Sequence, residues 1–75
     1  MPLNACILIK TTPLHTGEVL QKTRSMKEVR KAFVAYGRYD LVIFASSLDY
    51  SGVRSLTSAI NNLDGVRSTE TLVEA

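Results

Sequence analysis

The chain has 75 residues, with nine basic and seven acidic side chains, one histidine, one cysteine and a net charge of +2. One cysteine excludes an internal disulfide, and one cysteine with one histidine cannot build a structural zinc site. So small a charge is no argument for nucleic acid, and 45% hydrophobic with 21% charged residues is the composition of one globular domain over residues 1–75. A domain this small buries only about 60% of its unfolded surface. With disulfide and metal removed, oligomerisation is the compensation left open. The cysteine count fits the reducing cytoplasm. No apolar run reaches transmembrane length, and the N-terminus lacks the order of a signal peptide. A cytoplasmic protein without membrane contact is expected.

The first element, "LNACILIK" from Leu3 to Lys10, reads as a strand that is apolar in both phases of its alternation. Cys6 lies inside it as a small buried hydrophobe. "TTPLHTG" is a break punctuated by Pro13 and Gly17. His15, in that break, has no cysteine or carboxylate at ligand spacing and reads as a surface loop residue. A short helix follows over about Leu14 to Ser25, with Val19, Leu20, Thr23 and Met26 turned inward. "VRKAFVAY", Val29 to Tyr36, is a second strand rich in β formers. Gly37-Arg38 reads as a two-residue hairpin loop of type II′, in which the first position needs positive φ. "YDLVIFAS", from Tyr39 to about Ser46, is the third strand. Ser47 or Asp49 then caps a second helix whose Val53, Leu56, Ile60 and Leu63 share one face. Gly65 is the expected C-terminal cap of that helix. "VRSTETLV", Val66 to Val73, is the last strand. The basic stretch Lys22 to Lys31 is read as a solvated face, with an anionic partner as the alternative.

This β-α-β-β-α-β order is the ferredoxin-like pattern, an α+β fold with an antiparallel sheet and two helices on one face. It places the apolar first and third strands at the centre. Two helices cover only one sheet face, yet both central strands offer apolar side chains to the other as well. An antiparallel sheet with one wet face alternates apolar and polar, and a large bare apolar face does not stay in water. Another copy of the same sheet is the simplest cover, which predicts a symmetric homodimer.

Two segments carry more than pattern. "GRYDLV", Gly37 to Val42, and "GVRSTETLV", Gly65 to Val73, resemble at this separation the effector-binding domain of the Lrp/AsnC transcriptional regulators, called the RAM domain. The resemblance covers essentially the whole chain, and the second segment is the more specific. It implies a dimeric α/β sandwich of the dimeric α+β barrel type. It also implies rings of dimers such as an octamer, and an amino acid or related metabolite bound in clefts between dimers. The loop after the second strand and the polar last strand contribute to those clefts. The family usually carries an N-terminal helix-turn-helix domain. Here the first strand begins by Leu3, so a stand-alone effector domain without direct DNA binding is expected, with full-length Lrp/AsnC regulators as possible partners. Arg38 departs from relatives, in which that turn position is often acidic or small.

A free amino acid presents an ammonium and a carboxylate a few ångströms apart. The candidate ligand-binding residues are therefore Tyr36, Gly37, Arg38, Tyr39, Asp40, Ser68, Thr69 and Thr71. Asp40 would accept from the ammonium, and the open backbone near Gly37 would donate to the carboxylate. Ser68, Thr69 and Thr71 add hydroxyls, and Tyr36 and Tyr39 wall the pocket. Glu70 is a second acceptor or a partner of Arg67. Each has a structural alternative: Asp40 fixes the turn, the hydroxyls are edge-strand residues, and the tyrosines are interface aromatics. No base-and-nucleophile pair is present, so no enzyme, catalytic residue, metal or cofactor is expected. The sequence supports an amino-acid effector-binding and oligomerisation domain that modulates transcription regulation. The alternative is a ligand-free assembly module.

Overall fold

The computed structural model describes residues 2–74. Its elements are β1 (Leu3–Thr11), a 3-10 turn (Pro13–His15), α1 (Thr16–Arg24), β2 (Val29–Val34), β3 (Leu41–Ser47), α2 (Tyr50–Asn61) and β4 (Val66–Val73). The strands form one antiparallel sheet in the order β2-β3-β1-β4. The two apolar strands therefore lie at the centre, as the ferredoxin-like pattern requires.

Side-chain alternation builds the core. Ala5, Ile7 and Ile9 of β1, Leu41, Ile43 and Ala45 of β3, and Ala32 of β2 are buried on the helix side of the sheet. Val19 of α1 and Val53, Leu56 and Ile60 of α2 are buried with them. Leu20, Met26 and Leu63 complete the packing half-buried. Thr23 is fully buried without cost to its hydroxyl, which donates to the Val19 and Leu20 carbonyls one turn back. Asp49 is the cap of α2: its Oδ1 accepts the Gly52 N–H at 2.9 Å.

The ends of several elements differ from the sequence reading. Pro13 opens a 3-10 turn, so α1 begins at Thr16 and Leu14 stands 95% exposed. His15 is not a free loop residue: its Nδ1 lies 2.7 Å from the Thr12 hydroxyl. The helix α2 ends on Asn62 in ordinary right-handed conformation, not on Gly65. Gly65 has φ +93° in the turn into β4, and a side chain there would collide with His15. β2 stops at Val34 and β3 starts at Leu41, so Gly37-Arg38 is not a two-residue II′ turn. A six-residue loop, 35–40, joins the strands, closed by the Ala35 N–H donating to the Asp40 carbonyl at 2.9 Å. Gly37 still takes positive φ within it.

The sheet's second face is apolar, as the two-phase pattern of the central strands predicts. Cys6 pairs with Phe44 on one side and Leu72 on the other, Leu8 pairs with Val42, and Val42 pairs with Phe33. The Phe33 and Phe44 rings lie 6.0 Å apart, and the Lys31 ammonium sits over the Phe33 ring. Phe44 is 44% and Leu72 54% exposed. No helix is long and apolar enough to cross a membrane among the described residues.

Candidate functional site

The loop 35–40, the end of β1 and the start of β4 meet at one end of the sheet. The β1–β4 pairing shifts register between Lys10 and Thr11. The Thr11 N–H is on the β3 side of β1, one step beyond the last β3 pair, Ile9 with Leu41, and it donates to Asp40 Oδ2 at 2.8 Å. The Thr11 hydroxyl lies 3.4 Å from the same oxygen and 2.7 Å from the Thr16 hydroxyl. Thr11 is 4% exposed, so this carboxylate satisfies a donor that water cannot reach. The Asp40 N–H donates to the Ile9 carbonyl at 2.9 Å. Asp40 is thus tied to β1 through backbone and side chain, and one of its carboxylate oxygens serves the fold.

Tyr39 reaches the other way. Its hydroxyl donates to Glu70 Oε1 at 2.7 Å, joining the loop to β4. The bond to the carboxylate holds the Tyr39 hydroxyl above its ordinary pKa, helped by partial desolvation and the Glu70 charge and opposed by Arg38. Glu70 therefore serves Tyr39. Among the described residues the single ion pair is Lys22 with Glu18, so the alternative Arg67–Glu70 pair does not form.

The predicted residues do not gather into one pocket on the single chain. Tyr36 is 99% exposed, and Gly37 and Arg38 are exposed beside it. Ser68 pairs with Lys10 on the exposed side of the sheet. Thr69 and Thr71 lie on the opposite face under α2. The Thr69 hydroxyl donates to Asn61 Oδ1 at 3.0 Å, and the Thr71 and Thr57 hydroxyls are 3.2 Å apart. Sequence reasoning missed Thr11 and Thr16. Nothing in "TTPLHTG" distinguishes Thr11 from Thr12, because the side of β1 that meets Asp40 is set by its pairing with distant β3.

A βαββαβ sheet of this order is shared by many families, and the family model for the Lrp/AsnC ligand binding domain matches residues 4–74. The chain belongs to the Lrp/AsnC ligand-binding domain family. That family is one of regulatory ligand-binding domains and not an enzyme family. A hypothetical protein from Pyrococcus horikoshii is similar at 28% identity and TM-score 0.89, over 97% of this chain and 89% of that one. A protein from Thermus thermophilus is similar at 26% identity and TM-score 0.93, over 97% and 92%. AsnC of E. coli shares the fold at 24% identity and TM-score 0.88, with this chain spanning 96% of itself and 50% of AsnC. No curated protein sequence matches.

Three of the recesses among the described residues of this Lrp/AsnC domain are lined by none of the predicted ligand residues. One of about 520 Å³ lies between Glu28, Ser46 and the start of α2. One of about 290 Å³, between Cys6, Phe44 and Leu72, opens on the apolar sheet face. The third, of about 460 Å³, lies along β2.

Proposed function

We propose that this domain is an amino-acid effector module of the cytoplasm, whose ligand-dependent assembly modulates transcription regulation. It dimerises through the apolar sheet face. Dimers join into rings such as an octamer, alone or with full-length Lrp/AsnC regulators. An amino acid or related metabolite binds at the sheet end formed by Tyr36, Gly37, Arg38, Tyr39 and Asp40, with Ser68 of β4 as the polar complement, while Thr69 and Thr71 are held under α2. The domain does not touch DNA itself. The observation that carries this reading is a polar sheet end, with an anchored carboxylate, that no element of the same chain closes into a pocket. A neighbouring copy supplies the missing wall.

The bonding of Asp40 decides how the proposal is tested. Both bonds from Thr11 end on Oδ2. Asp40→Asn keeps an oxygen acceptor for the Thr11 N–H and removes the charge that an ammonium needs. Melting the protein with each of the twenty amino acids checks the reading. A ligand at a hundred times its dissociation constant adds about 2.7 kcal/mol. At least one amino acid is expected to raise the Tm of the wild type and to lose that effect in Asp40→Asn. No shift with any of them at millimolar concentration rejects the ligand.

A second reading, a ligand-free assembly module, has its own support. Asp40 already has a structural task, and the three recesses avoid the predicted residues. It predicts an unchanged oligomer and an unchanged Tm with every amino acid.

A further inference from the structure

The basic stretch Lys22–Lys31 is put to specific use along β2. Lys22 pairs with Glu18 at 3.1 Å, and this is the one ion pair among the described residues. Arg24, Arg30 and Lys31 therefore face no carboxylate at ion-pair distance. All three line the recess of about 460 Å³ along β2, together with Val29, Ala32 and Phe33.

The fold holds each cation in place. Arg24, at the end of α1, donates from Nε and Nη2 to the Ala32 carbonyl at 3.1 and 2.9 Å. Two bonds to one oxygen fix the guanidinium plane and leave three of its five N–H donors outside that pair of bonds. The pairing of β2 with β3 shifts register between Val29 and Lys31, so Arg30 is the extra residue of a bulge. Neighbouring residues of a regular strand point to opposite faces. Here Arg30 Nε donates to Ser46 Oγ at 3.2 Å, while Lys31, paired with Phe44, lies over Phe33. The bulge thus brings two consecutive cations to one side. The negative end of α1 is quenched, because the Ser25 and Met26 N–H groups and the Ser25 hydroxyl bond its last carbonyls.

We propose that this recess is a binding site for a compact phosphate-type oxyanion, whether free phosphate or the phosphate group of a small metabolite. Fixed arginine forks are the geometry that phosphate oxygens select. Protection of an edge strand explains a basic residue on β2. It does not require three cations around one recess whose lining holds no acid. A nucleic acid asks for a basic stripe along a face, whereas these cations converge on one place. The site shares no residue with the amino-acid site proposed above, while its Phe33 also belongs to the apolar sheet face through which the dimer is proposed to form.

The test is a titration of the protein with sodium pyrophosphate, followed by amide and arginine side-chain NMR, against sodium chloride at equal ionic strength. Saturable shifts confined to Arg24 Nε–H and the Arg30, Lys31 and Ala32 amides are expected. Arg30→Gln and Lys31→Gln are each expected to weaken the dissociation constant by about fivefold, the loss of one modest charge-assisted contact. Arg67→Gln, on β4, is expected to leave it unchanged. Both substituted residues are exposed, so the variants retain the fold. Inorganic phosphate and a phosphorylated sugar then separate free anion from metabolite by affinity. Shifts no larger than those with chloride overturn the proposal. So do shifts shared equally with Lys10, Arg54 and Arg67, or a DNA duplex that binds more tightly and spreads the response over those residues.

Discussion

At Asp40 a single carboxylate satisfies the buried Thr11 N–H, and the cost of losing it depends on what replaces it. Asp40→Ala strands the Thr11 N–H in a site of 4% exposure. Leaving a buried donor without a partner costs about 1–3 kcal/mol. That is a large part of the roughly 5–15 kcal/mol that holds a small domain folded. Asp40→Asn keeps an acceptor and is expected to cost less than half as much, measured by urea unfolding. Equal losses in the two variants would mean that the charge, not the hydrogen bond, supports β1. Tyr39 offers a pH readout at the same end of the sheet. Its folded pKa lies above the ordinary 10.0, because its hydroxyl donates to Glu70. Raising a pKa stabilises the protonated form, so this contribution is fully present below pH 10 and is lost as pH rises through the folded value. Unfolding profiles of wild type and Tyr39→Phe are expected to differ below pH 10 and to converge above it. A difference that stays constant to pH 11 would exclude the Tyr39–Glu70 bond as its source.

Elements are joined here by contacts that local sequence does not announce, and this sets how much was legible beforehand. The helices and the central strands follow from periodicity alone: Val53, Leu56 and Ile60 at helical spacing, and β1 and β3 apolar in both phases. The hairpin did not follow. Tyr36 and Tyr39 are β formers, which extended both strands into what is a six-residue loop. β3 pairs with β1 no further than Leu41, and the next N–H on that side of β1, that of Thr11, is met by the Asp40 side chain instead. The candidate site was legible to the same extent. Asp40 and Tyr39 stand out as polar groups beside a turn, while their partners Thr11 and Glu70 are set by tertiary pairing. Gly65 is another such junction. Its φ of +93° suits glycine, and the position of its absent side chain is taken by the Cβ of His15. Positive φ alone costs an ordinary residue about 1–2 kcal/mol. Gly65→Ala is expected to lose more than that in a thermal melt. His15→Ala is not expected to rescue it, because the colliding atom is the Cβ that alanine keeps. Full rescue would show that the imidazole ring, not the backbone approach, sets the limit.

For the whole molecule, the governing imbalance is one core and two apolar sheet faces. The helices shelter Ile7, Ile9, Leu41 and Ile43 completely, while Leu8, Val42, Phe33, Phe44, Cys6 and Leu72 on the far side have no element over them. Fully burying an aliphatic or aromatic side chain is worth about 1.5–3 kcal/mol, so covering that face with a second copy strengthens a domain too small to be robust alone. Val42 lies at the middle of it, between Leu8 and Phe33, and its side chain takes no part in the core. Val42→Glu is therefore expected to split the assembly while leaving the circular dichroism of the subunit intact, with sedimentation falling to the 8.3 kDa of one chain. Cys6 reports on the same surface. Partial burial already pushes its thiol above the ordinary pKa, and the thiolate is the reactive form. In the wild type its alkylation is expected to be slow at high protein concentration and to accelerate on dilution, as the two sheets separate by mass action. A rate independent of concentration, together with a wild type that sediments as one chain at micromolar concentration, would leave the apolar face bare and remove the neighbour that the ligand cleft requires.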